Sequence, residues 1–565
     1  MNLPSRRAKI VATLGPTSSD LQTIENLIKA GVNVFRINFS HGVKKDHQLL
    51  IKTIREAIKK LDVSVAILQD LQGPKLRVGT FENHGMQLEK GENIVLLLET
   101  LGSKKGLKTI PYNYQKLSKE IKPENRILLD DGNLEFVVTE VKQDEIYAQV
   151  VYGGLLKDHK GMNFPDTRLS IESFTPKDKA DLLFGLEMDV DFVALSFVRS
   201  ASDVRTIQKF MHSHKRNIPV VSKIEKSEAL ANLYEILQVT DSVMVARGDL
   251  AVEVGTAQVP SLQKKIIRDC NLLGIPVITA TQMLESMIYS PRPTRAEASD
   301  VANAVLDGSD ALMLSAETAS GKFPVLSVSV MHNIILETEL RRTSFNDVLE
   351  SPKDVPVNPS LVVAIEHAAS NVAKWLNATA IACTTHTGEA ARALAKYRPT
   401  VPVVAFTDSP EVRRRLALVW GIETCLIEPV QDLEKLFNIA EEELAKRNLA
   451  KKGDLIVFTA GWPPLKHGTT NLLKVVTIRK DFEQLTSKQQ KENLLGYRTR
   501  KAQFVLDQNL CIQCGGCVEV CPNDIFGKQG REVYLKEENC KNCTFDDACI
   551  EICPTGAIEI IQLDS

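Results

Sequence analysis

"PVVSKIEK", Pro219–Lys226, opens as an apolar strand and closes on an ammonium and a carboxylate. Side chains alternate along a strand, so Lys223 and Glu225 share one face. Seven other runs have the same design: "AKIVATLGP" from Ala8, "VNVFRINFS" from Val32, "VAILQDLQG" from Val65, "DFVALSFVR" from Asp191, "SVMVARGD" from Ser242, "PVITATQM" from Pro276 and "ALMLSAET" from Ala311. Their polar ends supply Thr13, then Arg36 with Asn38 and Ser40, Asp70, Ser196, Arg247 with Asp249, Thr281, and Ser315 with Glu317. Longer amphipathic stretches separate the runs, which argues for parallel strands joined by helices. An eight-stranded β/α barrel accounts for the pattern. Apolar side chains fill its interior, and its active site collects at the carboxyl ends of the strands. One polar strand end would mean only that loops are wet. Eight that gather cations, carboxylates and hydroxyls describe a site.

The spacing breaks once. Between Gln72 and Asp191 lie "ENIVLLLE", "NRILLDDGNLEFVVTEV" and "EIYAQVVYGGLL", strand-like runs with turn signals at Asp131-Gly132 and Gly153-Gly154. They predict a small β-barrel domain inserted at 73–165, placed as a lid over a catalytic barrel of 1–72 and 166–345. The Pro-rich "SPKDVPVNPS" then leads into a second α/β domain, 346–480, in which "NATAIACTTHTG", "VPVVAFTDS", "ETCLIEP", "DLIVFTAG" and "LLKVVTI" read as strands.

Composition bounds the class. The chain has 565 residues, 44% apolar and 25% charged, with a net charge of −2. That balance favours neither nucleic acid nor a membrane surface, and no apolar run approaches the ~20 residues of a span. The start, "MNLPSRRAKIVATLGP", lacks a signal-peptide core, so a cytoplasmic location is expected. Charge is uneven near the end. Residues 479–501 hold seven basic and three acidic residues, while 503–565 hold four basic and eleven acidic, a net of −7. This shift predicts a linker, 481–502, before a separate unit, 503–565. Eight of the eleven cysteines fall in that unit. The other three, Cys270, Cys383 and Cys425, stand alone in apolar contexts and read as buried small hydrophobes.

From Arg6 to Arg479 the chain resembles the pyruvate kinase family. The motifs "KIVATLGP", "FRINFSHG", "LQDLQGPKLRVG", "VSKIEK", "VMVARGDLAVEV", "ITATQMLESM" and "DALMLSAETASGKFP" follow that family's order. The resemblance implies a homotetramer of barrel, lid and regulatory carboxyl-terminal domain. It implies transfer of phosphate from phosphoenolpyruvate to ADP, giving pyruvate and ATP. Such chemistry is mainly positioning and charge neutralisation. The resemblance assigns Lys223 to the moving phosphoryl group and the enolate. It assigns Glu225 and Asp249 to Mg²⁺ or Mn²⁺, a hard cation suited to carboxylates. The N–H groups of Gly248 and Asp249, where a helix begins, would receive the substrate carboxylate. Thr281 would lie on the path that protonates the enolate, with Ser315 and Glu317 as further members of that relay. Arg36 and Arg77 would grip phosphate. Asn38, His41 and Lys160, in "HKGMNFP", would face the nucleotide phosphates.

Two departures from the family pattern are informative. Many members need K⁺, held by a site to which Asn38, Ser40 and Asp70 correspond, with Thr after that Asp and Glu where Lys75 stands. Here Leu71 removes the hydroxyl and Lys75 supplies a fixed positive charge, which resembles the branch that does not require K⁺. In the carboxyl-terminal domain, "TTHTGEAARA" (384–393) replaces a hydroxyl-rich sugar-phosphate loop. Thr384, Thr385, Thr387 and Gly388 could cradle a phosphate, but Glu389 brings a like charge and Ala390 lacks a hydroxyl. Strong activation by fructose 1,6-bisphosphate is not expected.

The acidic tail carries "CIQCGGCVEVCP" and "CKNCTFDDACIEICP". The first has the bacterial ferredoxin spacing, in which the fourth cysteine of each run ligates the other cluster. The tail resembles a small α+β ferredoxin-like domain with two 4Fe–4S clusters. One cluster would use Cys511, Cys514, Cys517 and Cys553; the other would use Cys540, Cys543, Cys549 and Cys521. The second run departs in having five residues between Cys543 and Cys549. Paired zinc sites are the alternative; disulfides do not suit a reducing cytosol. The reading is an active pyruvate kinase with a fused redox module, whose partner could be a pyruvate–ferredoxin oxidoreductase. The competing reading is an electron carrier whose barrel has become a scaffold. Intact Lys223, Glu225, Asp249 and Thr281 speak against that.

Overall fold

The computed structural model describes residues 6–104, 106–341, 360–462 and 470–479, and in the tail 494–498, 502–507, 511, 516–521, 523–529, 532–536, 538–540, 550, 553 and 557–562. All eight expected runs form strands: β1 (Lys9–Thr13), β2 (Val34–Asn38), β3 (Ala66–Asp70), β4 (Phe192–Leu195), β5 (Val220–Ile224), β6 (Ser242–Ala246), β7 (Val277–Ala280) and β8 (Ala311–Leu314). They close into a barrel in the order β1-β8-β7-β6-β5-β4-β3-β2. Such strands are buried on both faces, which is why they read as unbroken apolar runs. Every residue of β1, β3 and β6 is buried. The connecting helices carry their start signals in the sequence. Asp20 accepts the N–H of Thr23 at 3.0 Å, and capping boxes pair Ser200 with Asp203 and Thr294 with Glu297.

The chain divides into two compact units. One comprises Asp70–Glu187 and Val193–Ile266, holding β4–β6 and the inserted domain. Register within its barrel strands is parallel, with Val193 opposite Val220 and Lys223 opposite Met244. The insertion forms a six-stranded sheet in the order Met162–Asn163, Arg126–Leu129, Leu134–Lys142, Glu145–Tyr152, Asn93–Leu98, Lys108–Tyr112. A two-stranded sheet pairs Gly85–Leu88 with Gly154–Lys157. Ile94, Leu96, Ile127, Phe136, Ile146 and Val150 make its core. The Asp131-Gly132 signal is a hairpin loop between Leu129 and Leu134, where Asp130, Asp131 and Gly132 all have positive φ.

The other unit comprises Met1–Gln69, Met188–Phe192 and Ile267–Ser565. Its α/β domain has the sheet order Ile422–Leu426, Val403–Thr407, Ala380–Thr384, Leu455–Gly461, Thr470–Thr477, parallel except for the last pair. Cys270, Cys383 and Cys425 are buried as expected. A buried arginine ties this domain to the base of β8. Arg398 pairs with Asp310 at 3.1 Å, donates to Asn271 Oδ1 and Gly308 O at 2.9 Å each, and stacks 4.7 Å from the Trp420 ring.

In the tail, Leu494–Arg498, Ala502–Asp507 and Ile558–Gln562 form an antiparallel sheet, beside a hairpin of Phe526–Gln529 and Glu532–Leu535. The stretch read as a linker therefore contributes an edge strand. Its apolar Leu494-Leu495 pair is short and set among charges, so it lacked a strand signal of its own.

Candidate active site

In the Asp70–Ile266 unit, the ends of three strands converge. Lys223 lies near the end of β5 and Glu225 follows that strand. The Lys223 ammonium donates to Ser196 Oγ at 2.8 Å and pairs with Glu225 Oε1 at 2.9 Å and Asp70 Oδ1 at 3.4 Å. Both carboxylates have 1% of their side-chain surface exposed, against 12% for Lys223. Ser196 in turn donates to Leu71 O at 2.7 Å, and the N–H of Phe197 donates to Glu225 Oε2 at 2.7 Å. Burial pushes the Glu225 carboxyl above its ordinary range, Lys223 pulls it down, and Asp249 pushes it up again. The helix Arg247–Val254 begins immediately after β6 and carries Asp249 in its first turn. Asp249 lines a cleft with Lys75, Asn163, Phe197, Lys226 and Glu228. Two carboxylates that repel each other beside an anion-binding helix start fit a hard divalent cation.

The other expected residues of this unit have defined neighbours. Lys160 pairs with Asp130 at 2.6 Å, and Arg77 donates to His159 O at 2.8 Å. The Lys75 side chain runs past Gly161, where an added Cβ would lie 3.2 Å from its Cε. Among the described residues its ammonium makes no ion pair. Leu71 is buried, at 1% exposure. Sequence reasoning missed two features. Phe197 sits at φ +55, an outlier for an aromatic residue, and nothing in "SFVR" signals it. Lys226 pairs with buried Glu253, four residues beyond Asp249 on the same helix; that i,i+4 spacing was legible.

In the other unit, Arg36 Nη1 donates to Thr13 Oγ1 at 3.0 Å, and Thr13 Oγ1 donates to Leu314 O at 2.9 Å. Asn38 Oδ1 accepts the N–H of Ser40 at 3.0 Å, and His41 is exposed beyond it. Thr281 has φ +67, a strained value for a β-branched residue, and its hydroxyl donates to Ala280 O at 2.6 Å. Glu317 is buried and accepts the N–H groups of Ser315 at 2.7 Å and Leu284 at 3.2 Å. Burial raises its pKa, while those backbone bonds oppose the rise.

The 384–393 loop borders a pocket at the carboxyl edge of the α/β sheet, lined by Thr385, His386, Thr387, Glu389, Asp408 and Glu428. His386 Nδ1 lies 2.8 Å from Asp408, and Gly388, at φ +82, donates its N–H to Thr385 Oγ1 at 2.9 Å.

In the tail, Cys517 and Cys540 belong to a core of Phe504, Leu506, Ile525 and Phe526, and Cys511, Cys521 and Cys553 pack against it. All five are free thiols, and Cys553 Sγ accepts the N–H of Ala557 at 3.3 Å. Five free thiols around one small core are the residue type that cluster ligation requires. Cys514, Cys543 and Cys549 lie outside the described residues. No three His, Cys, Asp or Glu side chains among the described residues form a single-ion site.

A parallel β/α barrel whose strand ends set one lysine among buried carboxylates defines a barrel enzyme for anionic substrates. The comparisons narrow the class. Residues 5–328 match the family model of the pyruvate kinase barrel domain, 363–476 that of the pyruvate kinase alpha/beta domain, and 503–554 a 4Fe-4S dicluster domain. Pyruvate kinase 2 of a Synechocystis strain is 45% identical over 478 residues, 84% of this chain and 80% of that protein. The pyruvate kinase of Geobacillus stearothermophilus is 43% identical over 477 residues, with the same coverage. The crystal structure of a pyruvate kinase from Cryptosporidium parvum superposes with a TM-score of 0.80 at 34% identity, covering 84% of this chain and 96% of that one. The chain belongs to the pyruvate kinase family, and it carries a 4Fe-4S dicluster domain at its carboxyl end.

Proposed function

We propose that the chain moves the phosphoryl group of phosphoenolpyruvate to ADP in glycolysis, in the cytoplasm and as a homotetramer. The observation that carries the reading is the Lys223 ammonium held by Ser196, Glu225 and Asp70. A cation so fixed acts most on charge that develops during transfer. Glu225 and Asp249 would hold Mg²⁺ or Mn²⁺, which neutralises phosphate oxygens when bound. Gly248 and Asp249 N–H groups would take the substrate carboxylate. Arg36 and Arg77 would orient phosphate, and Asn38, His41 and Lys160 would meet the nucleotide. The lid, residues 73–165, would deliver Lys160 once the nucleotide displaces its Asp130 pairing. Thr281, strained at positive φ, would pass a proton to the enolate carbon. Lys75 would replace K⁺, a reading supported by an ammonium that makes no ion pair among the described residues and by the buried Leu71. The 384–393 pocket, with Glu389, Asp408 and Glu428 in its lining, would reject a sugar bisphosphate and take a less anionic effector.

The cluster domain would carry two 4Fe–4S clusters, supplying one-electron redox chemistry that the kinase reaction does not use. Its net charge of −7 suits docking to a basic electron-transfer partner, of which a pyruvate-consuming ferredoxin reductase is the metabolic analogue. The test is truncation at Glu492, before the tail's edge strand Leu494–Arg498. Turnover should stay within a few-fold, while brown colour, iron and salt-sensitive partner binding are lost. A truncated protein that assembles normally yet has no kinase activity would overturn the separation of tail from chemistry. Whole protein with clusters but no pyruvate formation would favour the electron-carrier reading.

A further inference from the structure

The inserted domain leaves and rejoins the barrel through two crossings, and both meet the loop that follows β4. On the outgoing crossing, Gly73 has φ +67, and an added Cβ would fall 2.8 Å from the Phe197 ring and 2.9 Å from Ser196 Cβ. Only glycine fits so close an approach at that φ. On the returning crossing, Ser173 donates to Phe197 O at 2.8 Å. Arg199 donates to Leu169 O and Ile171 O, each at 2.6 Å. Arg199 is itself fixed. Its N–H donates to Asp203 Oδ2 at 2.9 Å, its guanidinium lies 4.0 Å from Asp203 Oδ1, and Asn232 donates to its carbonyl at 2.9 Å. The first two residues of the same loop are the ones that orient the cation and carboxylate of the active site, Ser196 on Lys223 and Phe197 N–H on Glu225.

We propose that Arg199 is a positioning residue: with Phe197 it couples the returning crossing of the inserted domain to the orientation of Lys223 and Glu225. Phe197 is the joint. A non-glycine residue at positive φ persists only where its surroundings over-determine it. Here the N–H is held by Glu225, the carbonyl by Ser173 and the ring by Gly73. Movement of the returning crossing pulls on the Phe197 carbonyl, and a turn of that peptide changes the aim of the N–H at Glu225. Arg199 sets where the crossing rests, through two charge-assisted hydrogen bonds that a neutral side chain cannot reproduce. The proposal rests on the assignment of Lys223 and Glu225 as the phosphoryl-transfer and metal groups.

The test uses the full-length protein. Arg199→Gln should lower kcat about tenfold and raise the Mg²⁺ concentration for half-maximal rate about threefold, the size expected when hydrogen bonds from a charged group are lost. The protein should stay folded, with its thermal midpoint lowered by only several degrees at about 2–4 °C per kcal/mol, and Arg199→Lys, which can still reach one carbonyl, should recover part of both parameters. Arg168→Gln, an exposed change on the same crossing, should leave both unchanged. If Arg199→Gln does not fold, Ser173→Ala removes only the bond to the Phe197 carbonyl and should shift the same two parameters in the same direction. Wild-type kcat and Mg²⁺ midpoint in a folded Arg199→Gln or Ser173→Ala protein would overturn the proposal. Lys223→Met, run alongside, separates the failures: if it stays active, the site assignment itself falls; if it is inactive while Arg199→Gln behaves as wild type, only the coupling falls.

Discussion

Lys223→Met removes one ammonium from between two buried carboxylates. At 2.9 Å from Glu225 and 3.4 Å from Asp70, each pairing has a gross Coulomb energy on the order of 5 kcal/mol at an effective dielectric near 20. Desolvation offsets much of that when the groups fold together, but it does not when one partner is deleted. The remaining charges stay buried with less compensation, and such deletions cost roughly 3–5 kcal/mol. At about 2–4 °C per kcal/mol for a unit of this size, the barrel should melt on the order of 10 °C lower in EDTA. A divalent cation should restore part of the loss, because Glu225 and Asp249 already repel each other. Acid should help as well. Glu225 is held above its ordinary range when folded, so the folded protein binds that proton more tightly, and stability falls as pH rises above the ordinary carboxyl pKa. Pyruvate formation should fall at least a hundredfold, the size seen when one preorganised donor to developing charge is removed. Thermal melts in EDTA and in Mg²⁺, with a pyruvate assay, check each part. A variant that melts like wild type in EDTA would refute the buried-charge argument, and one that turns over normally would remove Lys223 from the chemistry.

Replacing K⁺ with Na⁺ at matched ionic strength should leave activity nearly unchanged, whereas Lys75→Glu should reduce activity and create a K⁺ requirement, incomplete because Leu71 offers no hydroxyl; a strong K⁺ requirement in the natural chain would end that reading. Asp249→Ala should weaken apparent Mg²⁺ affinity with a smaller effect on protein stability, measured by metal titration of the rate. Glu366 is fully buried, accepts Thr459 Oγ1 at 3.0 Å, and is pushed up to about 8 by burial, with the Thr459 hydrogen bond opposing. The Glu366 carboxylate also acts on the buried Cys383 thiol, raising its pKa. The folded pKa of Glu366 exceeds its unfolded one, so stability should fall by up to ~1.4 kcal/mol per pH unit between about 4.5 and 8, and Glu366→Gln should flatten that slope in pH-dependent melts.

The sequence was most legible where one force dominates. Eight strands buried on both faces leave eight apolar runs, and β5 shows why the site could be read as well. Its period of two puts Lys223 and Glu225 on one face, and they meet at 2.9 Å. The positive φ values of Phe197 and Thr281 were not legible. Neither residue type favours that region, and each is held there by hydrogen bonds from residues distant in the chain or by its place at a strand end. The neighbours of Arg199 were hidden for the same reason: its partners are backbone carbonyls at 169 and 171, and a carbonyl has no sequence signature.

The tail raises a different problem, since its cysteine spacing was legible and its edge was not. Ala502–Asp507 pairs with Ile558–Gln562, so the ends of the cluster segment close on each other, and Leu494–Arg498 adds to the outer side of Ala502–Asp507. A cluster segment whose bounding strands, Ala502–Asp507 and Ile558–Gln562, are neighbours can be joined to another protein through one end without disturbing its interior. That arrangement lets a cluster module follow a kinase through a single connection. It also places the meaningful cut before Leu494. A cut at Gln503, where the acidic composition begins, would remove most of the tail but strand Leu494–Arg498 without its partner. The exposed strand edge left behind would invite aggregation, and lost kinase activity in that shorter protein would report the edge and not a catalytic role for the clusters.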